Sequence, residues 1–116
     1  MISRTQDVTS QFNTNSKVNV EVGKWQNIVV QIVSPTGTVN FNSTNDAGDV
    51  AGVSDGDAST ALNFGAVQGT NLATGAAVTS LAATGIVSFG IIGQFLQLIG
   101  ASVTAKKVLI FFTKPY

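Results

Sequence analysis

Gly85-Ile86-Val87-Ser88-Phe89-Gly90-Ile91-Ile92-Gly93-Gln94-Phe95-Leu96-Gln97-Leu98-Ile99 is the longest apolar run in the chain, and it carries no charge. Such a run is buried, either inside a domain or between subunits. It is too short and too rich in glycine to span a bilayer, which takes roughly 20 apolar residues. Two readings compete for it. Ile92, Phe95, Leu96 and Ile99 fit a helical stripe, with Gln94 and Gln97 on the other side. The same residues fit two strands divided near Gly90 to Gly93. Periodicity does not separate helix from strand in short apolar runs, so the flanking sequence decides.

Upstream, Val18-Asn19-Val20-Glu21-Val22 alternates strictly, as a half-buried strand does. Gly23-Lys24 is a turn. Trp25 to Val33 is a second strand, with Ile28, Val30 and Ile32 on one face and Val29, Gln31 and Val33 on the other. Ser34-Pro35-Thr36-Gly37 is a turn by its Pro and Gly chemistry. Thr38 to Asn42 follows as a strand, so Val18 to Asn42 reads as an antiparallel meander. Ala61 to Val67, Val78 to Leu81 and Val108 to Thr113 add further strands, and Gly100 to Lys107 reads as a polar turn. This gives seven to eight short strands with turn signals between them, the pattern of an all-β sandwich or barrel. A lone helix at Gly93 to Gly100 would break that rhythm, and an interior glycine would cost it about 1 kcal/mol relative to Ala. The opening run is therefore expected to be a β-hairpin bent at Gly90 to Gly93, at the centre of the fold. Thr36-Gly37-Thr38-Val39-Asn40-Phe41 and Thr84-Gly85-Ile86-Val87-Ser88-Phe89 repeat one phrase, T-G-x-V-x-F.

Met1 to Ser16 is polar, with Ile2, Val8 and Phe12 as its only large apolar residues. It reads as an N-terminal arm, either free or lying along a neighbouring subunit. It has no apolar signal-peptide core, so export by that route is not expected. The division expected is an arm over 1–16 and a sandwich domain over 17–116.

The chain has 116 residues, enough for one domain with a modest core. It has no cysteine and no histidine. This removes disulfides, thiolate metal sites and the commonest general base. Charged residues are 10% of the chain and the net charge is zero. Polarity comes from 39 Ser, Thr, Asn and Gln residues instead. Six scattered basic residues matched by six acidic ones do not build a phosphate-binding surface, so no nucleic-acid partner is expected. Low surface charge also weakens the repulsion that keeps proteins apart, so self-association is expected.

Several phrases taken together resemble a β-sandwich module of tailed-bacteriophage virion proteins. Trp25-Gln26-Asn27-Ile28-Val29-Val30-Gln31-Ile32, continuing through Thr36 to Phe41 and Ser43-Thr44-Asn45-Asp46, is similar to its W-x-x-V-V-V-Q-I … S-G-T-V-x-F-x-x-S-N-D pattern. Phe64 to Gly75, followed by Val78-Thr79-Ser80, is a second similar phrase. Gly85 to Phe89 with Gly93 to Leu98 is a third. The chain departs from the pattern at Gln97, where an Arg is usual, and in having no Trp after Ala47-Gly48-Asp49. The resemblance covers about Trp25 to the end. It implies a virion component, such as a head decoration, head-fibre or tail-associated protein. It implies no catalytic residue and no substrate.

Candidate chemistry is sparse. Asp46, Asp49, Asp55 and Asp57 lie in a Gly- and Ser-rich loop over Ser43 to Thr60. They offer oxygens to calcium, although the spacing is not that of an EF-hand. The same residues are what a solvated turn loop uses. Glu21 with Asp55 or Asp57 would be the carboxylate pair of a glycoside hydrolase, but nothing in the sequence places Glu21 near that loop and no aromatic platform surrounds it. Gly65 to Gly75 and Gly85 to Gly93 lack the Lys-Ser/Thr of a phosphate loop and read as turns and bulges. Trp25 is either a sugar-stacking platform or a core lid. Phe111 and Phe112 are adjacent, so a strand points them to opposite faces and one lies outside the core.

These observations lead to one expectation: all-β, a single antiparallel β-sandwich, jelly-roll-like, with an extended N-terminal arm. The expected function is non-enzymatic. It is a capsid decoration or cement protein of a tailed phage, present in the virion, with itself and the major capsid protein as partners. No cofactor, catalytic residue, nucleic acid or membrane is expected. The rival is a host-glycan or receptor-binding module of a tail or fibre. Core or interface residues are expected to be Trp25, Phe41, Phe64, Phe89, Phe95, Leu98 and Phe112.

Overall fold

The computed structural model describes residues 1–45, 64–90 and 92–116. Eleven strands occur among them: β1 (Ile2–Asp7), β2 (Lys17–Glu21), β3 (Asn27–Val33), β4 (Val39–Thr44), β5 (Gly65–Ala66), β6 (Gly69–Asn71), β7 (Ala77–Val78), β8 (Ser80–Leu81), β9 (Gly85–Phe89), β10 (Phe95–Ile99) and β11 (Lys107–Lys114). One helix, α1 (Thr9–Asn15), lies between β1 and β2. The six-stranded sheet has the order β1-β11-β3-β9-β6-β7, and the five-stranded sheet has the order β2-β10-β4-β5, with β8 also on β4. Their pairings are antiparallel. The two sheets pack as a sandwich.

Alternation along β3 explains the layering. Ile28, Val30 and Ile32 are fully buried, while Val29, Gln31 and Val33 between them are only partly covered. The inward set meets Val87 and Phe89 of β9 and Ile110 and Phe112 of β11. From the opposite sheet come Val18, Val20, Phe41, Leu96 and Leu98, which share the same core. The repeated T-G-x-V-x-F phrase falls once in each layer. Its two ring ends, Phe41 and Phe89, meet edge to face with centroids 5.3 Å apart.

The opening run forms two strands, as its flanks predict, but not a hairpin. β9 pairs with β3 and β6 in one sheet, and β10 pairs with β2 and β4 in the other. Side by side, the two strands would turn their apolar faces the same way and need a further layer to cover them. In opposite sheets they cover each other. The chain crosses between layers at Gly93, whose φ is +125°. A Cβ there would lie 2.7 Å from the Thr44 carbonyl oxygen, so glycine fits where a larger residue does not. Gln94 then donates its N–H to that same oxygen at 2.8 Å, and β10 begins.

The meander expected over Val18 to Asn42 is likewise absent. β2 and β4 belong to the five-stranded sheet and β3 to the six-stranded one. Gln68 to Asn71, expected as turn, includes the short strand β6. The segment after β10, expected as a polar turn, buries Val103 and Ala105.

Residues 1–16 differ most from expectation. They are not an arm. β1 pairs along its whole length with β11, from Ile2 opposite Lys114 to Asp7 opposite Leu109. Val8 and Phe12 are fully buried in the shared core. Asn13 fastens α1 twice to Ala105, accepting from its N–H at 2.8 Å and donating to its carbonyl at 2.9 Å. Because β1 edges one sheet and β2 the other, the helix between them closes that side of the sandwich.

Candidate functional site

The outward side of the six-stranded sheet is the candidate. On β11 the inward residues are Val108, Ile110 and Phe112, so Leu109 and Phe111 point away from the core. Register sets their neighbours. Phe111 lies opposite Val29, and Leu109 lies opposite Gln31, which in turn faces Ile86 on β9. Leu72 continues the row, donating its N–H to the Ile86 carbonyl at 3.0 Å. Phe111 is 40% exposed, Ile86 37% and Leu72 57%. Val29, Val33 and Leu109 are partly exposed between them. The rows Leu109–Gln31–Ile86 and Phe111–Val29 thus set an apolar cluster in the middle of an otherwise polar face, with Asp7 beside Leu109, Thr5 beside Phe111 and Ser88 beside Val29.

Asp7 and Lys107 mark one end of this face. They lie 3.4 Å apart and both are about half exposed. The Thr9 hydroxyl donates to the Asp7 carboxylate at 2.6 Å and the Thr9 N–H donates to the same oxygen at 3.0 Å. These bonds, helped by Lys107, hold the Asp7 carboxyl below its ordinary value.

The outward side of the other sheet is built differently. Asn19, Gln97 and Asn42 form one cross-strand row. Gln97 donates to the Asn19 side-chain oxygen at 3.1 Å and accepts from the Asn42 amide at 3.0 Å. Asn19 is fully buried and Gln97 nearly so. The residue that departs from the virion-module pattern is therefore the middle of a buried amide chain.

Most residues expected at a core or interface fall in the core. Phe41, Phe89, Leu98 and Phe112 are essentially inaccessible, Phe95 is 5% exposed, and Phe64 is partly exposed. Trp25 is 7% exposed and stacks on Phe112 at 5.2 Å, with the Lys114 ammonium 5.2 Å from its ring centroid. It is a core lid with no open ring face for a sugar. Asp46, Asp49, Asp55 and Asp57 lie outside the described residues. Glu21 ends β2, exposed. The glycine-rich stretches form strands, and the one described helix is at Thr9–Asn15. Among the described residues there is no acidic cluster suited to a metal ion and no helix long and apolar enough to cross a membrane.

The Phe111–Phe112 pair divides as strand parity requires, one out and one in. Ile86 and Leu72 escaped notice in the sequence. The available signal was parity: once Val87 and Phe89 face in, Ile86 faces out.

No family model matches the chain, and no curated protein matches it. Among solved structures, the fold is similar to that of the SPBc2 prophage-derived protein YomS, with a TM-score of 0.60. The alignment covers 97% of this chain and 94% of that one, at 16% identity. The likeness is one of fold over nearly the whole of both chains.

Proposed function

We infer that this chain is a structural component of a tailed-phage particle, most simply a capsid decoration or cement protein, that works by surface contact and not by catalysis. The observation that carries the reading is the partly exposed apolar cluster of Phe111, Leu109, Val29 and Ile86 on an outward face shared with Thr5, Gln31 and Ser88. Exposed apolar surface of this kind gains about 25 cal/mol per Å² when covered, before the cost of association. Two further points support it. The virion-module phrases are spread over most of the chain, and the fold is similar to that of a prophage-derived protein. The interleaved order β1-β11-β3-β9 opposite β2-β10-β4-β5 is also how a jelly roll arranges its strands, a fold common in capsid proteins.

The purified chain tests the reading when mixed with expanded capsids of the phage that encodes it. Saturable co-sedimentation is expected. A chain that leaves the capsids unoccupied and binds a glycan array saturably belongs instead to a receptor-binding module. Burial of Trp25 counts against that second reading.

A further inference from the structure

We draw no further inference here: the strongest candidate, the partly exposed apolar cluster around Phe111, Val29 and Ile86 on the outward face of the six-stranded sheet, shares that face with Thr5 and Ser88, and nothing in the structure shows what covers it.

Discussion

At the scale of single residues, Gln97 shows how a polar side chain is kept inside an apolar strand. Its neighbours on β10 are Phe95, Leu96 and Leu98, and all are buried. The amide is tolerated because Asn19 and Asn42 satisfy its two ends. Replacing it by Leu preserves apolar volume but takes one hydrogen-bond partner from each neighbour. Gln97→Leu is expected to destabilise the fold by about 1–3 kcal/mol, measured by urea unfolding. Asp7 allows a prediction with a definite sign. The Thr9 bonds hold its carboxyl below the unfolded value, so they stabilise the folded state above that unfolded value, about pH 4. The contribution is lost as pH falls through the lower, folded value. The Asp7 carboxyl followed by NMR should titrate below the ordinary aspartate value. Asp7→Asn should leave the stability curve flatter than wild type on its acid side. Titration at or above the ordinary value would mean that the Thr9 bonds do not persist in solution.

At the scale of elements, β1 and α1 illustrate why an amphipathic fragment can escape notice. Val8 and Phe12 are too few, and spaced too irregularly, to display a period of two or of 3.6 over 16 residues. What orders them is β11, about 100 residues away in sequence, whose edge accepts β1. Deleting residues 1–16 is therefore expected to abolish cooperative unfolding, because it removes two core side chains and an edge strand together. Phe12→Ala alone should cost about 3–5 kcal/mol. A truncated chain that melts like the full one would restore the reading of this segment as a loose arm. The central run is the opposite case. Its two strands were legible from apolar residues, glycines and turn rhythm. Their placement in different sheets was not, because a hairpin and a crossing between layers use the same residues at Gly90 to Gly93. Gly93 decides between them through a close approach to Thr44 that sequence does not display.

At the scale of the whole molecule, successive long strands alternate between the sheets. β1, β3, β9 and β11 lie in one, and β2, β4 and β10 in the other. Among the described residues no long strand pairs with the next long strand in sequence, so chain ends and distant segments must meet before the ladders close. Loop-closure entropy then precedes most of the stabilising contacts. Folding is expected on the millisecond-to-second scale, as for other non-local β folds. Stopped-flow fluorescence of Trp25, which reports its docking on Phe112, measures it directly. Refolding complete within microseconds would contradict this long-range topology.

The sequence by itself determined the class of the fold, the position of most long strands, and which side of each strand is apolar, because side-chain alternation is a local property of extended chain. It also showed that one of Phe111 and Phe112 had to lie outside the core. Tertiary structure alone decided which strands pair, that residues 1–16 belong to the sandwich, and that Phe111, Val29, Leu109 and Ile86 form one surface. The physical reason is register. Hydrogen-bonded pairing between segments far apart in the chain brings these residues together, and no local period records it.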